Sequence, residues 1–120
     1  MFRSSGRTAA ITTLCRRRGA GPELTAAALR IVQPTDKGHS PVDRALAKQF
    51  GTMARRFAQV AHRAGDAAEL QEMVYVVLSA YAYAAREAGD EHYTVVFEQA
   101  AFGCRIELTT ERLEQVKALL

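Results

Sequence analysis

Residues 66–89 read DAAELQEMVYVVLSAYAYAAREAG. The stretch opens on Asp66, a helix-capping acid, with Glu69 three residues on, and it closes on Gly89, a helix stop. Between them Leu70, Val74, Val77, Tyr81, Ala84 and Ala88 recur at spacings of 4, 3, 4, 3 and 4, which is the period of a helix. The central run 73–85, MVYVVLSAYAYAA, is apolar or aromatic nearly all round. A surface helix shows one apolar stripe and one wet face, so this helix has to be covered on more than one side.

The preceding stretch carries the same signals. Ser40-Pro41-Val42-Asp43 offers a cap, a proline for the first helical position and an acid in the first turn. Leu46, Phe50, Met53, Phe57 and Val60 follow at spacings of 4, 3, 4 and 3, and Gly65 is placed to end the helix. Two long helices joined by a Gly-Asp turn predict an αα-hairpin over about 41–64 and 67–88.

Signals weaken outward from the hairpin. HYTVVFE (92–98) and CRIELT (104–109) alternate and are rich in strand-forming residues, which predicts a short β element over about 92–109. Tyr93, Val96, Phe97, Ala100 and Ala101 also fit a helix ending at Gly103. Thr110 is placed to cap a last helix, about 110–120, with Leu113, Val116 and Leu120 on one side. On the other flank, residues 23–33 begin helix-like and end β-like, with Pro34 closing LRIVQP, and 35–40 form a polar loop. Residues 1–22 hold Arg3, Arg7, Arg16, Arg17 and Arg18, several Ser and Thr, and no acid. That is the composition of a presequence, of a start codon placed too far upstream, or of a basic arm. The expected architecture is therefore a mainly α, small α+β single domain over 23–120, with 1–22 a flexible basic tail outside it.

A chain of 120 residues can bury a working core without metals or disulfides. Cys15 and Cys104 read as reduced thiols of a cytoplasmic protein. No apolar run approaches the roughly 20 residues needed to span a bilayer. Arg outnumbers Lys 13 to 3 and Ala is abundant, the bias of a GC-rich coding sequence such as some bacteria and phages carry. The net charge of +3 hides a split: residues 1–65 carry +9 and residues 66–120 carry −6. Such a split reads either as a nucleic-acid face on the first half or as two halves folded against each other.

With successive residues about 100° apart, helix 41–64 has three faces. Beside the large apolar stripe lies a stripe of small residues: Ala47, Gly51, Ala54, Ala58 and Ala61. A glycine inside a helix costs roughly 1 kcal/mol relative to Ala, so Gly51 predicts the close approach of another backbone. The third face holds Arg44, Lys48, Arg55, Gln59 and His62, flanked by Arg56 and Arg63. On helix 67–88 the side opposite the main apolar face holds Glu72, Tyr75, Val76, Ser79, Tyr83 and Arg86. Tyr75, Ser79 and Tyr83 form a row of hydroxyls. Either the 92–120 segment covers this row from within, or a second chain covers it from outside.

Residues that carry chemistry are scattered. His39, His62 and His92 share no metal-ligand spacing with a Cys or an acid. There is no Gly-rich phosphate loop, and Lys37-Gly38-His39-Ser40 reads as a polar helix-entry loop. No Ser, Cys or Thr stands beside a recognisable base. The sequence thus predicts a non-enzymatic regulatory or accessory module with no cofactor, no membrane and no small-molecule substrate. It would self-associate or bind another protein through Glu72, Tyr75, Ser79, Tyr83 and Arg86. The alternative is a nucleic-acid-binding protein that uses Arg44, Lys48, Arg55, Arg56 and Arg63 together with the Arg-rich tail.

Overall fold

The computed structural model describes residues 3–35, 42–104 and 109–119. Six α-helices fill them: α1 (Arg3–Arg17), α2 (Pro22–Val32), α3 (Arg44–Val60), α4 (Ala67–Glu87), α5 (Glu91–Cys104) and α6 (Thr110–Leu119). A single 3-10 turn, Ala61–Arg63, follows α3. No strand occurs among the described residues.

The ends of α4 follow from its sequence. The Asp66 carboxylate accepts from the Glu69 amide at 2.9 Å, and the Glu69 carboxylate accepts from the Gly65 amide at 2.8 Å. At the other end Gly89 takes φ +75°, a left-handed conformation that suits glycine. The Gly89 amide donates to the Arg86 carbonyl and the Asp90 amide to the Ala85 carbonyl, which together satisfy the last turn. Asp90 at once caps α5 through the Tyr93 amide at 3.0 Å. The chain therefore turns back as a helix, and the closest antiparallel pair is α4–α5.

The β element expected over 92–109 is helical across 92–104, while residues 105–108 lie outside the described residues. Local β propensity in Thr94-Val95-Val96 loses to the Asp90 cap and to a buried helical stripe of Tyr93, Phe97, Ala101 and Cys104. The expected strand at LRIVQP is likewise the end of α2, where Pro22 sits in the first turn and Ala28, Ile31 and Val32 are buried. Helix α3 starts at Arg44, with Asp43 rather than Ser40 as its cap: the Asp43 carboxylate accepts from the amides of Ala45 and Leu46. Gly65 does not end α3, which passes into the 3-10 turn after Val60.

The basic segment expected to lie outside the fold forms α1. Its Ile11 and Cys15 are buried in the same core as the other helices. Arg18 clamps the helix end in place, its guanidinium donating to the Ala64 carbonyl at 2.6 Å and the His62 carbonyl at 3.1 Å. Those carbonyls end a helical segment and have few partners of their own.

At the centre, four rings from three helices meet. Phe50 of α3 stacks on Tyr81 of α4 at 5.0 Å between centroids, and Phe97 of α5 meets both edge-on at 5.2 and 4.9 Å. Tyr93 stacks on Phe97 at 6.0 Å. Tyr81 is fully buried, and its hydroxyl donates to the Ile31 carbonyl at 2.7 Å, with the Phe50 carbonyl at 3.2 Å. Burial pushes this hydroxyl above the ordinary tyrosine range, an effect the positive charge of Arg7 partly opposes. Most of the circumference of α4 is buried, from Leu70 through Val76 and Val77 to Ala85. The apolar run is thus covered by α5, α3 and α2 together. No helix among the described residues is long and apolar enough to cross a membrane.

The small-residue stripe of α3 does not hold a close-packed helix along its length. A Cβ added at Gly51 meets nothing within 4 Å, and Ala47 is exposed. Ala54 and Ala61 are buried, and Ala58 faces α1.

Candidate functional site: a groove between α4 and α5

Four residues of the expected interaction row come together. Tyr75, Ser79, Tyr83 and Arg86 stand three or four residues apart on α4, so they share one face. With Ala82 they form one wall of an open groove, and Glu98, Ala101 and Phe102 of α5 form the other. The groove holds about 760 Å³. Glu72, the fifth expected residue, is half-buried one turn before the groove and does not line it.

The segment after Gly89 packs beside the row rather than over it. Tyr93 and Phe97 turn into the core, which leaves Tyr75 and Ser79 half-buried and Tyr83 66% exposed. Phe102 is 70% exposed on the opposite wall. Among the described residues the exposed large hydrophobic side chains are Tyr83, Val95 and Phe102, and two of these three line this groove, one on each wall. Arg86 pairs with Glu98 across the groove from one helix to the other. That bridge is exposed and contributes little to stability. It leaves the groove net neutral at its rim, with aromatic carbon and hydroxyls on its walls.

Phe102, Glu98 and Ala101 were not among the expected site residues. Their signal exists only when 91–104 is read as a helix: Glu98 and Phe102 then stand at i and i+4, next to the buried Phe97 and Ala101 stripe.

The expected nucleic-acid residues divide. Arg44, Lys48 and Arg55 are exposed on one row of α3 with Gln59 and His62. Arg56 instead borders a small cleft with Thr52, Met53, Val77 and Ala80 between α3 and α4. Arg63 is exposed in the 3-10 turn.

Both thiols are buried, and burial pushes Cys15 and Cys104 above the usual cysteine range. Among the described residues, no group of three or more His, Cys, Asp or Glu gathers in a way that could hold a metal ion. No protein-family model, curated protein or solved structure matches this chain.

Proposed function

We propose that this chain is a non-enzymatic interaction module that takes up a partner chain, in the first instance a second copy of itself, in the α4–α5 groove. The observation that carries this reading is the pair Tyr83 and Phe102, two large rings exposed on facing walls of one groove. Exposed aromatic carbon gathered on a concave surface is where partners concentrate binding energy. A groove between two antiparallel helices accepts the side chains of a third helix. Because Arg86 and Glu98 neutralise each other, the rim presents no net charge to repel a second copy of the same groove. The reading assigns the chain no reaction, because buried, protonated thiols are poor nucleophiles.

Light scattering against concentration tests it. The double variant Tyr83→Ala/Phe102→Ala should weaken association by about 2 kcal/mol, roughly 30-fold in dissociation constant. The separated chain should melt where the parent does, since both rings are mainly exposed. A chain that stays monomeric at high micromolar concentration, or association that ignores the double variant, would overturn the proposal.

A further inference from the structure

We infer that α1 and α3 together form a second interaction surface, one that binds the phosphate backbone of double-stranded nucleic acid. This rests on a juxtaposition seen only in the folded chain and does not depend on the groove. Ala9, Ala10, Thr13 and Arg17 of α1 line one cleft with Ala58 of α3 and His62 of the 3-10 turn. The exposed face of α1 therefore lies beside the basic row of α3.

Neither α1, α3 nor the 3-10 turn contains an acidic residue. Arg16, Arg17, Arg44, Lys48 and Arg55 are exposed on them. The acids that flank α3, Asp43 and Asp66, hold their carboxylates on backbone amides as helix caps. From Arg44 to His62 the row extends about 27 Å, the rise of about eight base pairs, long enough to meet several phosphates. The cleft between the two helices is lined by small residues, Ala9, Ala10, Thr13 and Ala58, with Ile11 and Leu14 of the α1 core stripe beside them.

The kind of polyanion follows from what the surface carries. Its exposed described residues include no aromatic ring, so it offers no platform for stacking unpaired bases. Its exposed apolar residues are Ala and Gly, while Ile11 is buried and Leu14 half-buried in the cleft, so no large apolar side chain stands out to enter a bilayer. Charges without rings or anchors fit a duplex, read through its phosphates alone.

Anisotropy of a labelled duplex titrated with the full chain tests the inference. Four phosphate contacts give a slope of log affinity on log salt near −3.6, so affinity should fall about 150-fold between 50 and 200 mM salt. Arg16→Gln/Arg17→Gln and Lys48→Gln/Arg55→Gln should each halve that slope, with circular dichroism unchanged because all four side chains are exposed. Absence of duplex binding at the low salt, or a slope that only one pair alters, would overturn the inference. So would tighter binding to a single strand of the same length, or to phosphatidylserine vesicles.

Discussion

Removing one oxygen from the core, in Tyr81→Phe, isolates the hydrogen bond that joins three helices. The ring stays, so the stacking on Phe50 and the edge contact with Phe97 are kept. What goes is the donor to the Ile31 carbonyl. Ile31 lies in the last turn of α2 and is fully buried, so its carbonyl has neither a helical partner nor water to replace the hydroxyl. A buried acceptor left without a donor costs about 1–3 kcal/mol. Urea melts followed by circular dichroism at neutral pH should show that loss.

The same variant carries a pH signature. The folded state holds Tyr81 protonated above the ordinary range, whereas in the unfolded chain it ionises near pH 10. Below that pH the contribution of Tyr81 is fully present. Above it the unfolded state releases a proton that the folded state keeps, and stability falls as pH rises. At about pH 11 the unfolded tyrosine is about ten-to-one ionised, which removes about 1.4 kcal/mol of stability from the parent chain. Tyr81→Phe has no such proton. The gap between parent and variant should therefore shrink by about 1.4 kcal/mol from neutral pH to about pH 11. Burial also raises the Cys15 and Cys104 thiols, but they are common to both chains and cancel in the difference. A gap that is absent at neutral pH, or that stays constant across the range, would refute the bond and the burial that underlie this reasoning.

Two further substitutions test the helices. Because a Cβ at Gly51 meets open space, Gly51→Ala should stabilise α3 by roughly 0.5–1 kcal/mol, and a thermal melt with a lowered midpoint would show a neighbour that the structure lacks. Asp90→Ala removes the cap that starts α5, and should cost about 1 kcal/mol; an unchanged melt would mean that the turn to α5 does not rely on it.

What could be read without coordinates was what neighbouring residues decide. Asp66 and Gly89 mark the ends of α4, and of the predicted stripe Leu46, Phe50, Phe57 and Val60 are buried while Met53 is half-buried. That Tyr75, Ser79, Tyr83 and Arg86 share one face of α4 was legible for the same reason, since i and i+4 positions share a face. The failures share a cause too. Thr94-Val95-Val96 favours a strand locally, and what overrides it is distant: Tyr93 and Phe97 meet Phe50 and Tyr81 in the ring cluster. The second wall of the groove went unseen with it. In α1 the arginines masked a short apolar stripe, Ile11, Leu14 and Cys15, that packs into the core. The cost of a helical glycine predicts a close neighbour at Gly51, and the structure places none within 4 Å of a Cβ there.

The charge split can now be weighed. The joint between the basic and the acidic half includes ring packing and bonds to carbonyls. Phe50 in the basic half meets Tyr81, Tyr93 and Phe97 in the acidic half ring against ring. The Tyr81 hydroxyl and the Arg18 guanidinium cross between elements to carbonyls rather than to opposite charges. Arg86 and Glu98 pair within the acidic half. Arg16, Arg17, Lys48 and Arg55 meanwhile stay exposed on helices without an acid. Like charges held that close repel, which lowers the stability of the folded chain. A polyanion bound at the proposed α1–α3 surface would relieve the repulsion in the folded state more than in the extended one, and would thereby link binding to stability through the same side chains. The exposed charges that would draw a polyanion to the proposed α1–α3 surface are thus the same ones that repel one another in the free chain.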